Sequence, residues 1–243
     1  MFAKVLRKIS WAVFTLLAVS ILLVLSLRWV NPPASALMIE QYISALLTGK
    51  DYSSQRRWTP WPSLPDNLKM AVIAAEDQQF AYHHGFDIAA IRAALAYNNN
   101  SDSIRGASTI SQQVAKNTFL WSSRSWPRKA LEAWFTLWIE VFWSKERILE
   151  VYLNSAEWGP GIFGAQAAAH YYFNTNAANL SNQQAYLLAA ILPSPLKRSA
   201  SQPSAATVQR ANWIARQVRQ LGASHYLNEM HTTPPQWLPS FKD

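Results

Sequence analysis

The sequence predicts a mostly α-helical domain that follows a single N-terminal transmembrane helix. Apolar residues recur at spacings of three and four along most of the chain, as they do on the buried face of an amphipathic helix. Alternating strand-like runs bounded by turn dipeptides are nearly absent. In addition, residues 9–27 form an uncharged apolar run that is long enough to cross about 30 Å of hydrocarbon as a helix.

The apolar run near the N-terminus predicts a membrane anchor over residues 9–30. Lys4, Arg7 and Lys8 precede the run, so the positive-inside rule places residues 1–8 in the cytoplasm and the rest of the chain outside. A cleaved signal peptide is the alternative, but its apolar region would be shorter and would end in small residues. Here the run ends in Leu-Arg-Trp-Val followed by Asn-Pro-Pro, which favours a retained anchor.

Helices are predicted in succession along the rest of the chain. Ser181 and Gln184 match a capping box, and Pro193 ends the same helix. Ser108, which follows the flexible Gly106, is predicted as the N-cap of another helix. The predicted helices cover residues 35–48, 66–79, 87–98, 108–119, 127–142, 145–154, 161–172, 181–192 and 203–221.

The composition of the 243-residue chain narrows the classes of function. The absence of cysteine excludes a disulfide framework and a cysteine nucleophile. The net charge of +8 suits nucleic acid, anionic lipid or a phosphorylated substrate, and charge alone does not choose among them. The chain has 12 tryptophans, and tryptophan favours boundaries between apolar and wet surroundings such as a membrane interface.

The first candidate catalytic residue is Glu76. It follows the apolar segment 68–75, so we expect it at the C-terminal end of a buried helix, where desolvation and the helix dipole both raise a carboxyl pKa. A general base for a sugar hydroxyl needs such a pKa. The alternative is that Glu76 and Asp77 are simply solvated at a helix end.

His83 and His84 suggest a metal, but no third ligand has convincing spacing, which favours a structural or solvent-facing pair.

A polar stripe is predicted on the helix over residues 108–119. Thr109, Gln113 and Lys116 fall at positions i, i+4 and i+7, which lie on one face of a helix. Their hydroxyl, amide and ammonium groups suit sugar hydroxyls and a phosphate. The alternative is an exposed polar face that binds no ligand.

Glu132 is predicted to be buried, because the helix that carries it is apolar nearly all round. A buried carboxylate needs cationic partners, and Arg128 at i−4 and Lys129 at i−3 lie within reach. A structural ion pair and a catalytic role are both consistent with this spacing.

Five motifs follow one another between residues 76 and 168. They read E-D-x-x-F-x-x-H-x-G at 76–85, G-A-S-T-I-S-Q-Q-x-x-K-N at 106–117, R-K-x-x-E at 128–132, K-x-R-I-L-E-x-Y-L-N at 145–154 and G-x-x-G-x-x-A-A at 161–168. In this order they resemble the peptidoglycan glycosyltransferases that share the glycosyltransferase domain of penicillin-binding proteins, and especially the monofunctional biosynthetic branch of that family. The resemblance runs from about residue 58 to residue 196. Ser111 replaces a threonine that is frequent in the family and keeps the hydroxyl.

The resemblance implies a lysozyme-like catalytic domain over residues 58–200, after a membrane-proximal linker or helix over 31–57 and before a helical extension over 201–243. It implies polymerisation of lipid II into β-1,4-linked strands by inverting transfer, with release of undecaprenyl pyrophosphate. In this family the residue at Glu76 deprotonates the 4-hydroxyl of the acceptor GlcNAc, and the residue at Glu132 assists on the donor side. The implied substrate-binding residues are Asp77, Phe80, His83, Gly85, Ser108, Thr109, Gln112, Gln113, Lys116, Asn117, Arg128 and Lys129.

The resemblance also implies partners, cofactors and a location. The expected partners are lipid II, the growing strand, the bacterial inner membrane and other cell-wall synthesis proteins, with no nucleic acid and with the catalytic domain in the periplasm. Several family members use a divalent metal, so Mg²⁺ or Mn²⁺ is an expectation at the pyrophosphate. Trp121, Trp126 and the polar stretch 98–105 are expected at a membrane-facing mouth of the site.

Two alternatives of other classes are a lysozyme-like glycan hydrolase and a non-catalytic cell-wall scaffold. A hydrolase of finished polymer needs no pyrophosphate site, so the cations Lys116, Arg128 and Lys129 argue against it. Two intact carboxylates, at Glu76 and Glu132, argue against a scaffold.

Overall fold

A computed structural model describes residues 2–99, 101, 106–123 and 125–232 of the chain. Within these residues it contains eleven α-helices and three short β-strands, which confirms the prediction of a mostly α fold. The helices are α1 (Phe2–Ser26), α2 (Ala36–Thr48), α3 (Asp66–Glu76), α4 (Ile88–Asn99), α5 (Ile110–Phe119), α6 (Trp126–Phe142), α7 (Lys145–Ser155), α8 (Ala165–Phe173), α9 (Asn182–Ile191), α10 (Ala205–Leu221) and α11 (Ala223–Thr232). The strands are β1 (Gln55–Arg56), β2 (Glu157–Gly159) and β3 (Ile162–Phe163).

Helix α1 is long and apolar enough to cross a membrane, because its stretch Lys4–Ser26 has 23 residues and a mean hydropathy of 2.4. Residues 27–30, which the sequence predicts within the span, form turns instead. Arg147 explains this end of the helix: its guanidinium donates to the carbonyl of Leu27 at 3.0 and 3.2 Å and to that of Val30 at 2.9 Å. Carbonyls at a helix end have no partner within the helix, and Arg147 supplies one.

The C-terminal half of α1 packs against α6. Trp134 donates its indole N–H to the hydroxyl of Ser20 at 3.0 Å, and Trp143 donates to the carbonyl of Val24 at 2.8 Å. Val24 itself is completely buried. Since a buried indole N–H needs an acceptor, these two bonds hold α1 against the helix that carries Glu132 and the residue that follows it.

The core is built on α3, α7 and α9, whose central residues are buried. In α3 the burial runs without a break from Leu68 to Ala74, which is more than one helix face, so neighbours surround this helix. The predicted capping box of Ser181 and Gln184 is confirmed at the start of α9. Helix α10 packs on both α9 and α3 and is therefore part of the same core.

A small sheet replaces the start of one predicted helix. Strand β3 pairs in parallel with β1 and antiparallel with β2, so the helix predicted from residue 161 begins only at Ala165. Gly164 is the physical reason, because its φ is +84° and a Cβ on it would lie 3.0 Å from the carbonyl oxygen of Asn154. That backbone conformation is left-handed and is incompatible with the interior of an α-helix.

Two further helix boundaries differ from the predicted ones. Helix α3 ends at Glu76 and not at residue 79, because Asp77 leaves the helical conformation with φ −162°. The N-cap of α5 is Thr109, so the prediction of Ser108 as the cap is wrong. The hydroxyl of Thr109 accepts the N–H of Gln112 at 3.2 Å while the Gln112 side chain accepts the N–H of Thr109 at 3.0 Å, and this reciprocal capping box satisfies two backbone donors at once.

Candidate active site

Glu76 lies at the end of α3, where it lines an open cleft and keeps 13% of its side chain exposed. Gln113 on α5 donates its amide N–H to Oε2 of Glu76 at 3.0 Å. From α10, Arg210 places Nη2 3.3 Å from the carbonyl oxygen of Ala75 and 4.0 Å from Oε1 of Glu76. The predicted position, at the C-terminal end of a buried helix, is confirmed.

Burial raises the pKa of Glu76 above its ordinary value, because it removes water from the carboxylate. The charge of Asp77 raises the pKa further. The bond from Gln113 and the charges of Arg210 and Lys116 lower it, but burial outweighs them. The predicted direction is therefore confirmed, with desolvation as the main cause. A carboxylate with a raised pKa is a better proton acceptor than an ordinary glutamate.

Hydrogen bonds of Asp77 and His83 stabilise the conformation of the loop that follows α3. The buried carboxylate of Asp77 accepts a bond from Nε2 of His83 at 2.9 Å and one from the N–H of Ile110 at 2.9 Å. Nδ1 of His83 accepts the N–H of Gly85 at 3.1 Å, so the ring is held on both sides.

Phe80 is completely buried, which leaves it no surface for a ligand and differs from the substrate contact that the resemblance implies. For Asp77 and His83 a substrate contact stays a prediction.

Gly85 and Thr109 join this loop to α5. Gly85 has φ +86°, and a Cβ on it would come within 2.7 Å of Cγ2 of Thr136, so only glycine fits there. Its carbonyl accepts the hydroxyl of Thr109 at 2.7 Å. The hydroxyl of Thr109 and the side-chain oxygen of Gln112 are thus used within the protein. Ser108 is exposed and lines the cleft.

The predicted polar stripe on α5 is present in part. Gln113 bonds to Glu76, and Lys116, one helical turn further on, is half-buried and interacts electrostatically with both Glu76 and Glu132. Burial lowers the pKa of the Lys116 ammonium; neighbouring cations lower it further, whereas the two glutamates oppose the shift. Asn117 is half-buried beside it.

Glu132 lies on α6 with only 3% of its side chain exposed. Arg128 donates to its Oε2 at 2.6 Å, and Lys129 donates to its Oε1. The predicted cationic partners are therefore confirmed. Arg128, Lys129 and Lys116 form one wall of the site, the cationic wall. Its three positive charges lie near the single carboxylate of Glu132 and leave a net positive charge.

The cleft that begins at Glu76 has a volume of about 710 Å³ and lies between α3, α4 and α10. Its polar and aromatic lining residues are Glu76, Asp77, Gln78, Gln79, Asp87, Ser108, Thr109, Arg210, Trp213 and Gln217. A carboxylate of raised pKa at one end, beside a positively charged wall, suits the transfer of a group from an anionic carrier.

A profile of the family described as transglycosylase matches residues 41–219. The chain belongs to the transglycosylase family. It is 60% identical to the biosynthetic peptidoglycan transglycosylase of Stutzerimonas stutzeri over 241 residues, which cover 99% of this chain and 100% of that protein. It is 61% identical to the protein of that name from Pseudomonas putida (strain W619) over 230 residues, 95% of this chain and 98% of that protein. For the Pseudomonas aeruginosa protein of that name the identity is 57% over 227 residues, 93% of this chain and 96% of that protein.

These matches confirm the family that the five motifs predict. The family profile also reaches beyond the resemblance seen in the motifs, because it extends to residue 219, close to the end of α10. In this transglycosylase the packing of α10 on α3 gives that helix a direct part in the site.

Sequence reasoning missed three residues at the site of this transglycosylase. Tyr152 is buried and donates its hydroxyl to Oε1 of Gln113 at 3.4 Å, and Glu140 accepts a bond from Lys145 at 2.9 Å. The third is Arg210. Tyr152 lies inside the fourth motif, and Glu140 is an acidic residue on an apolar helix, so both carried a detectable signal. Arg210 lies outside every motif, and only the tertiary packing shows that it contacts Ala75 and Glu76 at the end of α3.

The described residues do not fit a resident metal site. Among them no group of three or more His, Asp or Glu side chains is arranged to hold a metal ion. Both oxygens of Glu132 bond to cations, and His83 is paired with Asp77. A metal held by Glu132 or His83 would therefore have to displace the partners to which these side chains are bonded.

Proposed function

We propose that the protein polymerises lipid II into the β-1,4-linked glycan strands of peptidoglycan, with Glu76 as the general base. Membership of the transglycosylase family and the names of nearly full-length relatives support the reaction. The observation that carries the mechanism is the environment of Glu76. It is a buried carboxylate of raised pKa that Gln113 orients at the start of a cleft, next to a cationic wall.

In the proposed step the 4-hydroxyl of GlcNAc on the acceptor gives its proton to Glu76. The hydroxyl oxygen forms a bond to C1 of the donor MurNAc while the bond from C1 to the pyrophosphate oxygen breaks, and the configuration inverts from α to β. The electron pair of the broken bond leaves with undecaprenyl pyrophosphate. Oε2 of Glu76 is bonded to Gln113, so Oε1 is the oxygen that we assign to the proton.

The leaving pyrophosphate gains negative charge as the bond breaks, and the cationic wall stabilises that charge without rearrangement. Lys129 keeps 42% of its side chain exposed, so its ammonium group is open to the leaving pyrophosphate. Glu132 holds Arg128 and Lys129 in place. We therefore assign Glu132 an organising role on the donor side.

The proposed location is the bacterial inner membrane, with the catalytic domain on the periplasmic side. Lys4, Arg7 and Lys8 precede the apolar part of α1, which supports a cytoplasmic N-terminus. Trp121 and Trp126, with 43% and 88% of their surfaces exposed, support a membrane-facing mouth. The stretch 98–105, which we expected there too, is described only in part, because residues 100 and 102–105 lie outside the described residues.

Any Mg²⁺ or Mn²⁺ in the reaction is proposed to arrive on the pyrophosphate and not to be held by the protein. Addition of EDTA then lowers the polymerisation rate without changing the melting temperature of the protein. A fall in the melting temperature would contradict this proposal, because a resident metal stabilises the fold that binds it.

The direct test is product analysis with purified full-length protein in detergent. Incubation with lipid II is expected to give long strands that muramidase digestion returns to disaccharide units, and the Glu76→Gln variant is expected to give at most about one hundredth of that product in the same time. Release of fragments from mature sacculi by the wild type would support the hydrolase alternative. Full polymerisation by Glu76→Gln would overturn the assigned base.

A further inference from the structure

The loop that follows Glu76 is tied to the C-terminal part of the chain. Residues 78–82 form turns soon after α3 ends. Inside these turns the N–H groups of Phe80 and Tyr82 bond to loop carbonyls at 3.1 and 2.9 Å. The N–H of the buried Ala81 bonds instead to a side chain of α11, 145 residues further along the chain. The shape of the loop therefore depends on a helix that is distant in sequence.

Tyr226 of α11 supplies this contact. Its hydroxyl accepts the N–H of Ala81 at 3.0 Å and donates to the carbonyl of Gln78 at 3.1 Å. The side chain is buried, and burial raises the pKa of the Tyr226 hydroxyl well above its usual value, so the group keeps its proton and stays a donor. One hydroxyl thus satisfies a backbone donor and a backbone acceptor three residues apart, and this fixes the turn between them.

The same C-terminal helices hold the backbone on both sides of Glu76. On one side, Arg210 of α10 donates to the carbonyl of Ala75 at 3.3 Å. On the other, the carbonyl of Gln78 is bonded to α11, and its side-chain amide donates to Gln217 of α10 at 3.2 Å. The residue that carries the carboxylate therefore lies between two segments of backbone that are anchored to α10 and α11.

A second contact with α11 lies at the far end of the loop. The rings of Tyr82 and Tyr226 meet edge to face, with their centres 5.7 Å apart, and the hydroxyl of Tyr82 donates to Glu229. On the opposite side, Asp77 accepts the N–H of Ile110 from α5. The loop is thus held between α5 and α11, and without the hydroxyl of Tyr226 the bonds that α11 makes to the loop backbone are lost.

We propose that Tyr226 is a positioning residue of the transfer reaction, because its bonds to Gln78 and Ala81 fix the backbone that orients Glu76. The inference rests on the proposed function, in which Glu76 is the base. Helix α11 begins at Ala223, beyond residue 219 where the family profile ends, so only the folded chain brings it to the site. A misplacement of about 1 Å costs a reacting group up to about 10²-fold in rate.

The variant that tests this role is Tyr226→Phe in full-length protein in detergent, which removes the hydroxyl and keeps the ring. Tyr172→Phe is the matched control. Tyr172 is also buried, and its hydroxyl donates to the carbonyl of Trp158 at 2.9 Å, but it does not line the cleft. Each variant leaves a buried backbone carbonyl without its donor, so both should lose stability. Measurements well below both melting temperatures remove this shared effect.

The first measurement is hydrogen exchange, which needs no substrate. Peptides that cover residues 77–83 are expected to exchange about three- to tenfold faster in Tyr226→Phe, the factor that corresponds to one net hydrogen bond. In Tyr172→Phe these peptides should exchange as in the wild type. Unchanged exchange of the loop in Tyr226→Phe would show that the hydroxyl does not hold it and would overturn the proposal.

The second measurement is steady-state kinetics with lipid II. We expect kcat to fall by about tenfold in Tyr226→Phe, less than the loss for a full 1 Å misplacement, with KM nearly unchanged because α5 and α6 are not altered. Tyr172→Phe should keep the wild-type kcat. In a Glu76→Gln background the Tyr226→Phe substitution should add little, since the group through which it acts is already removed.

A wild-type kcat in Tyr226→Phe would overturn the positioning role, and so would an equal fold-loss in the wild-type and Glu76→Gln backgrounds. Either result leaves the proposed function intact, because the wild type still makes strands. If the wild type makes no strands from lipid II, the proposed function fails and the role of Tyr226 in transfer fails with it. Hydrogen exchange separates the two cases, because it reports the contact of Tyr226 with the loop whatever the reaction is.

Discussion

The two glutamates of the site, Glu76 and Glu132, are both largely buried but have opposite surroundings. Both oxygens of Glu132 accept bonds from cations, Arg128 and Lys129. Glu76 accepts one neutral amide bond on Oε2, while the nearest approach of Arg210 to its Oε1 is 4.0 Å. The charge of Glu132 is balanced by bonded cations, and that of Glu76 is not.

This difference separates two chemical roles. A carboxylate that accepts a bond from a cation on each oxygen has its charge already balanced, so it is suited to hold its partners in place. A desolvated carboxylate with a free oxygen is suited to take a proton, because burial without full compensation raises its pKa. Lys116 interacts with both glutamates and lies where the two environments meet.

The largest expected effect comes from Glu76→Gln, which keeps the size of the side chain and removes the base. We expect the turnover number for lipid II to fall by about 10²–10⁴-fold, the range typical of a lost general base. Binding of lipid II should change little. Steady-state kinetics of the purified variant check this, and a fall of less than about tenfold would contradict the assignment of Glu76 as the base.

The next largest effect is expected from Lys116→Met, at the junction of the two environments. Loss of one fixed cation from a charge-stabilising site typically costs about 10²–10³-fold in turnover. Lys116→Arg keeps the charge and is the matched control. If strand synthesis were equally fast in Lys116→Met and in the wild type, the cationic wall would not act on the leaving group.

The sequence predicts the surroundings of Glu132 better than those of Glu76. The surroundings of Glu132 were predictable, because its partners lie one helical turn away at i−4 and i−3, where helix geometry alone places them. Those of Glu76 were predictable only in part. Its place at the end of an apolar helix indicated a raised pKa, but Gln113 and Arg210 reach it from helices that are distant in sequence. Contacts between distant segments depend on packing, which no local spacing encodes.

The same limit explains the wrong boundaries. Ser108 and Thr109 both have side chains that cap helices, and their order in the sequence does not say which one does so. The hydroxyl bond from Thr109 to the carbonyl of Gly85 decides in favour of Thr109. Likewise, the helical spacing after residue 161 was correct only from Ala165, because the backbone at Gly164 is fixed by its close approach to α7.

The two glutamates should also differ in their effect on the stability of the fold. Glu132→Gln leaves the buried Arg128 without its charged partner, and an imperfectly satisfied buried donor typically costs about 1–3 kcal/mol of unfolding free energy. Glu76→Gln should behave oppositely. Because the pKa of Glu76 is raised in the folded state, its ionised form destabilises the fold at neutral pH, and this cost is absent below the pKa of the unfolded chain.

Thermal unfolding of the two variants in detergent measures this contrast. We expect a lower melting temperature for Glu132→Gln at pH 7 and an equal or higher one for Glu76→Gln, with the gain of Glu76→Gln lost in acid. Each variant is the matched control of the other, since both replace a buried glutamate by glutamine. Equal losses of stability in the two would show that their surroundings do not differ as the structure indicates.

The smallest expected effect concerns Arg210, whose charge lowers the pKa of Glu76 against the larger effect of burial. Arg210→Met removes that charge, so the pKa of Glu76 rises further. Because the base must be ionised to act, activity is lost as the pH falls through this pKa. The acid limb of the pH profile of kcat/KM is therefore expected to move to higher pH in Arg210→Met, with a few-fold loss on that limb that disappears at pH values well above it.

Two controls separate this electrostatic role of Arg210 from packing. Arg210→Lys keeps a positive charge and should move the limb less, and Arg216→Met removes a charge from an exposed position of the same helix and should not move it. A loss that is equal at every pH would mean that Arg210 supports the cleft and does not tune the base. A shift of the limb toward lower pH would contradict the electrostatic account, because removal of a cation cannot favour the ionised form of a neighbouring carboxylate.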